Sequence, residues 1–370
     1  MTADSTEKVQ NAEAWTEFCE LLKKAGEVIL REDLDTSLFD RGEGLRYLGR
    51  LLRAGLFSFM ENPGPAHPVF RPMPEQVKMG LDNPDNYYVS SSVDPKMDYR
   101  IRGTRGTIHY LSFAAVNQNF AARDKITGGA GHLNDSELQI DEDGTFEILA
   151  SQQEQPGNWL RMTEHTRQIL IRQTFLERNK EQPVEASIQC LQSGGAPPPL
   201  DPARVPGALM GSALYAIGCA QWFADWVVEF LERAPINDFH LPDKEKHRSM
   251  AGDPNVRMWL GMWRLAEDEA LVIDADPPDC HYWNFQLGNI WAESLDFNNR
   301  RVHINSGQAT YRSDGSFRLI VAAEDPGEDN WIDTAGHDHG VMALRWVRTN
   351  AHPRPKVRVA KLSALRSGLD

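Results

Sequence analysis

HYLSF at His109–Phe113 and HYWNF at His281–Phe285 are the same short strand written twice, 172 residues apart. Working outward, Asp143-Gly144-x-Phe146 recurs as Asp314-Gly315-x-Phe317, and Asn158-Trp159 as Asn330-Trp331. His165 and His337 each fall six residues after their tryptophan, and Arg172 is answered by Arg345. Ten identical pairs in nearly constant register, in a chain with only 10 tryptophans among 370 residues, point to an internal duplication. Each copy reads as strand, excursion, Asp-Gly turn, strand, a loop ending in Asn-Trp, and a further strand. Such a unit leaves a sheet face bare, and a second copy with accompanying helices can cover it.

The fold class expected is α+β and β-rich: two duplicated β-sandwich or jelly-roll-like units, N-terminal helices, and a helical insertion between the units. Apolar residues at helical spacing mark helices over 11–30 and 43–61. Five prolines between Pro63 and Pro74 then break helical structure. The expected organisation is an N-terminal helical region at 1–75, a first β unit at 86–192, a linker and helical insertion at 193–270, a second β unit at 271–350 and a basic tail at 351–370. Within the insertion, helices are expected over 208–233 and over 254–269. Asp253 would cap the latter, with Pro254 at its first position.

Composition narrows the function. A net charge of −14 disfavours a nucleic-acid or anionic-membrane binder. The segment from Arg345 onward, with seven Lys or Arg and one Asp, reads as a solvated basic strand and tail. Four isolated cysteines, without a CxxC pair, suit a reducing compartment. The N-terminus lacks the pattern of a secretory signal, so a cytoplasmic protein is expected. Leu209–Leu231, the longest apolar stretch, carries Asp225 and Glu229 and reads as a buried helix, with no role at a membrane. There is no GxSxG, Walker or GxGxxG motif, and Gly128-Gly129-Ala130-Gly131 has the wrong flanks for a dinucleotide. No cofactor is expected.

The run YWNFQLGNIWAESLDF, with HINSGQATYRSDGSFRLIVAAEDPGEDNWIDTAGHDHG and LRW, resembles the family catalogued as domain of unknown function 1214, over roughly Leu271 to Arg348. DNPDNYYVSSSVDPKMDYRIRG resembles the N-terminal part of longer members. The resemblance implies a β-rich, jelly-roll-like fold and no settled reaction.

By a constant offset, Asp333 and His339 replace Arg161 and Arg167 of the first copy, which makes the second copy the candidate working half. His337 and His339, two apart at a strand start, would share a face and serve as acid and base, with Asp333 orienting them. Asn284 and Gln286 alternate onto one strand face, and Asn305, Asn330, Trp331, Arg345, Trp291 and His281 complete a candidate substrate-binding set. Arg345 could instead pair with Asp296 or Asp325. Trp222, Trp226, Trp259 and Trp263 could wall the pocket. These residues suit a cofactor-independent lyase, isomerase or hydrolase acting by acid/base catalysis on a small, fairly hydrophobic metabolite. A non-catalytic small-molecule-binding or assembly module is the alternative, and a metal-dependent enzyme using His337 and His339 a second one. A homo-oligomer is compatible with each.

Overall fold

A computed structural model describes residues 3–117, 120, 131–243 and 252–367. Gly128, Gly129 and Ala130 of the glycine cluster lie outside the described residues, as do the last three residues of the basic tail. The chain opens with α1 (Ala3–Gln10), α2 (Glu13–Lys23) and α3 (Leu38–Phe59). Ser37 starts α3 with a capping box: its hydroxyl accepts from Asp40 N, and the Asp40 carboxylate accepts from Ser37 N at 2.8 Å.

The first unit comprises β1 (Arg71–Pro72), β2 (Asn86–Ser92), β3 (Tyr99–Thr104), β4 (Tyr110–Val116), β5 (His132–Asn134), β6 (Thr145–Ser151), β7 (Trp159–Arg161), β8 (Gln168–Thr174) and β9 (Glu185–Cys190). They form two sheets, β1-β2-β8-β4-β5 and β7-β6-β3-β9. After α4 (Val205–Arg233) the second unit follows: β10 (Val256–Arg264), β11 (Glu269–Ala275), β12 (Tyr282–Gly288), β13 (His303–Asn305), β14 (Phe317–Ala322), β15 (Trp331–Asp333), β16 (His339–Val347) and β17 (Lys356–Lys361). A short α5 (Leu362–Arg366) closes the chain. Its sheets run β10-β16-β12-β13 and β15-β14-β11-β17, the order of the first unit strand for strand once β1 is set aside. Even the one parallel pairing recurs, with Trp159 opposite Leu149 and Trp331 opposite Ile320. The duplication is therefore a duplication of structure.

Alternation explains each sandwich. In β8, Ile169 and Ile171 enter the first core with Phe113, Phe146 and Ile148, while Leu170 and Arg172 face out. In β16, Leu344 and Trp346 enter the second core, where Trp283 stacks on Phe317 at 4.0 Å. All nine residues of β16 are buried; on the outer face α4 covers Val341 and Ala343 through Phe223, Val227 and Phe230, and Val347 packs on Tyr110 of the first unit. Each such aromatic or branched side chain contributes about 1.5–3 kcal/mol on burial. No helix among the described residues is long and apolar enough to cross a membrane.

The helix expected over 254–269 is a strand, β10. Its apolar residues serve two layers, Trp259 and Trp263 in the sandwich core and Leu260 and Met262 under α4. A strand apolar on both faces loses the alternation that would distinguish it from a buried helix. Asp253 does not cap a helix: it accepts from Asn255 N at 2.9 Å in the turn entering β10. β17, within the basic tail, pairs with β11 and extends the second unit.

Candidate functional site

The two sandwiches meet through the outward faces of the sheets containing β8 and β16, about a pseudo-two-fold axis. His109 and His281 stack on it, ring centroids 4.3 Å apart and planes within 12°. Each Nε2 lies against the other's backbone carbonyl, at 2.8 and 3.0 Å, so each must carry its proton on that nitrogen. Burial lowers the pKa of His281, which favours the neutral ring such a stack requires.

Beside the axis each unit lends the other an aspartate. Asp85, entering β2, accepts from Tyr282 Oη at 2.5 Å, Asn305 Nδ2 at 2.9 Å and Asn284 Nδ2 at 3.2 Å, with His303 Nε2 at 3.2 Å. Asp253, entering β10, accepts from Ser112 Oγ at 2.8 Å and Tyr110 Oη at 2.9 Å, with His132 Nε2 at 3.1 Å. Burial works to raise both carboxyl groups, but the histidines and the other donors around them together outweigh it and hold both below the usual carboxylate range.

Between the facing sheets and under α4 lies a cavity of about 260 Å³. Equivalent positions of the two copies line it: Tyr110 with Tyr282, Arg172 with Arg345, Tyr88 with Met258, Asn86 with Val256, and Thr174 with Val347. The last three pairs differ in one sense: the first unit supplies a polar wall, the second an apolar one. Phe223 and Trp226 of α4 extend the apolar side. Arg345 is 5% exposed. Its guanidinium donates to Gln286 Oε1, Asn284 Oδ1 and the carbonyl of Leu81. All three acceptors are neutral, and no carboxylate among the described residues, Asp296 and Asp325 included, forms an ion pair with it. Asp82 also borders the cavity, accepting from Ser294 N and Oγ, and burial raises its pKa.

His281 lies on the axis, and the other residues singled out in the sequence divide into three groups. Asn284, Gln286, Asn305 and Arg345 converge as expected: Asn284 stands opposite both Asn305 and Arg345 in the sheet. Of these four, Arg345 reaches the cavity surface. Asn330 and Trp331 lie elsewhere, in the outer sheet. Asn330 bridges Thr310 and Arg318, as Asn158 bridges Gln139 and Glu147, and Trp331 Nε1 donates to Ala322 O as Trp159 Nε1 does to Ser151 O.

His337, His339 and Trp291 form the third group, against α3. His337 Nε2 lies 2.7 Å from Glu43 Oε2, His339 lies 3.6 Å from Asp40, and Trp291 Nε1 donates to Asp40 O. Asp333 does not orient either histidine; it pairs with Arg300 at 2.8 Å and accepts from Ala335 N. His337 precedes the strand that His339 begins. Counted from Arg172 and Arg345, His339 falls level with Thr166, not Arg167, because the later strand carries one further residue. Neither His337 nor Asp333 borders the cavity, and of the proposed tryptophans only Trp226 does. No three His, Cys, Asp or Glu side chains among the described residues are grouped to hold a metal ion. Tyr88, Asp82 and Asp85 were not singled out in the sequence, and Asp253 was read there only as a helix cap. Their signal is the Asp-Asn or Asp-Pro-Asn turn before the first strand of each copy, visible once the repeat is extended backward.

Fold and cavity together define a class: a fused pair of β-sandwiches with a cavity where they meet. The sequence profile of the family described as protein of unknown function (DUF1214) matches residues 88–174 and again 265–351, so the resemblance extends to both halves and is not confined to the C-terminal part. The chain belongs to this family. A crystal structure of an uncharacterised protein from Burkholderia cenocepacia is similar at 40% identity with a TM-score of 0.92, covering 97% of this chain and 99% of that one. The VPA0106 protein from Vibrio parahaemolyticus shares 11% identity with a TM-score of 0.49, over 85% of this chain and 97% of that one. Among curated proteins no sequence match is found.

Proposed function

We propose that the protein binds a small, largely apolar carboxylate in the cavity between its two units, with Arg345 as the anionic group's partner. One observation carries this reading: Arg345, buried and bordering a mainly apolar cavity, has its guanidinium hydrogen-bonded only to neutral oxygens. Asp82 and Asp85 act on this cation through space without bonding to it; a buried cation lacking a directly bonded carboxylate is costly, and an arriving carboxylate supplies one. At about 260 Å³ the chamber has room for roughly eight waters, or a ligand of about ten non-hydrogen atoms.

The test compares hexanoate and phenylacetate with hexanamide and phenylacetamide, following the melting temperature of the whole chain and its tryptophan fluorescence. The acids should stabilise the protein, the amides should not, and Arg345→Met should abolish the difference. Equal stabilisation by acids and amides, or by neither, overturns the reading. A catalytic use of His337 draws support from its close pair with Glu43. That pair faces α3, so His337→Gln should leave uptake of the acids unchanged.

A further inference from the structure

We infer that Tyr88 reads a second oxygen on the ligand, so that the cavity selects 2-oxo and 2-hydroxy carboxylates over plain ones; this rests on the carboxylate reading of the cavity. The Tyr88 hydroxyl accepts from the backbone N–H of Asn83 at 3.0 Å and from Asn86 Nδ2 at 3.2 Å. The second donor is set by a chain of amides. Asn83 Oδ1 accepts from Asp85 N at 3.0 Å and Asn284 Nδ2 at 2.6 Å. Its Nδ2 is thereby turned toward Asn86 Oδ1, at 3.2 Å, and that oxygen also accepts from Thr174 Oγ1 at 2.7 Å. Asn86 is left with its amide nitrogen facing Tyr88.

A phenol oxygen has two acceptor positions and one hydrogen. Both acceptor positions are occupied, and among the described residues nothing accepts the hydrogen. The charged neighbours do not take it. Arg345 and Arg172 border the same space and are donors only. Asp82 keeps spare acceptor positions beside its bonds from Ser294, but it takes no hydrogen bond from Tyr88. Burial raises the pKa of Tyr88, so the hydrogen stays in place at neutral pH.

The open donor lies close to the anion's partner. Arg345 is fastened to the carbonyl of Leu81 and Tyr88 to the amide of Asn83, two residues along one segment, which spans about 7 Å at most. A carboxylate on Arg345 therefore brings an oxygen on its 2-carbon toward the phenol. The apolar wall of Met258, Val347 and Trp226 is left for the remaining carbon chain.

Calorimetric titration of the full chain with 4-methylpentanoate and 4-methyl-2-oxopentanoate tests this. The oxo acid should bind the unaltered protein about threefold to tenfold more tightly, the worth of one added hydrogen bond. In Tyr88→Phe the two acids should bind alike, with the plain acid unaffected. Equal affinities in the unaltered protein, or a preference that survives in Tyr88→Phe, overturn the assignment without touching the cavity reading. The first comparison needs no variant, so a folding defect in Tyr88→Phe cannot shelter it. If neither acid binds, or both bind Arg345→Met as well as the original, the cavity reading falls and takes this assignment with it.

Discussion

Replacing Asp85 by alanine should loosen the unit that does not contain it. Asp85 belongs by sequence to the first unit, yet its partners Tyr282, Asn284, His303 and Asn305 are all in the second, the tyrosine 197 residues away. Its removal strands buried donors and leaves His303 without its acid, a loss of about 3–5 kcal/mol. For 370 residues the entropy of unfolding is about 0.8 kcal/mol per kelvin, so the melting temperature should fall by about 4–6 °C. Hydrogen exchange locates the damage. Amides of β12 and β13 should exchange faster in Asp85→Ala, while Asp253→Ala should speed β4 and β5 instead. A fall below about 1 °C, or deprotection confined to β2 itself, would refute the reciprocal exchange of aspartates.

Acid should find the same contacts. Asp85 and Asp253 titrate below their unfolded value of about 3.8, so their contribution is complete above that pH and is lost as pH falls through the lower folded values. A melting-temperature profile that steepens below about pH 4, and flattens there in the double Asn variant, is the expected record. At α3 the sign reverses. Burial would lower His337, but Glu43 outweighs it and raises the pKa, so this contact is strongest below about pH 6.5 and weakens as pH rises through the raised value. Limited proteolysis of the N-terminal helices should accelerate between pH 6 and 9, and lose that dependence in His337→Gln. Gly80→Ala should cost about 1–3 kcal/mol by chemical denaturation. Gly80 has φ +63°, and an added Cβ would stand 2.5 Å from the Phe223 ring.

The duplication was legible because positions that shape the fold stayed identical. Asn158 and Asn330 staple the same turn, and Trp159 and Trp331 occupy the same strand. The shared face of Asn284 and Gln286 was legible from alternation alone. The cavity was not, for the converse reason. A comparison that collects identities passes over Tyr88 and Met258, or Thr174 and Val347, which hold equivalent places and differ. The same preference for local pattern set His337 beside Asp333, although its partner, Glu43, lies 294 residues away on α3. β10 escaped because covering both faces of a strand erases its period.

The axis through His109 and His281 has a consequence for how such a chamber can change. In a homodimer every substitution on a two-fold axis is made twice, so a tyrosine introduced to grip one end of a guest also intrudes at the other. Joining both copies in one polypeptide lifts that restriction. Position 88 can carry a hydroxyl while position 258 carries a thioether, and a chamber that began with interchangeable ends acquires a head and a tail.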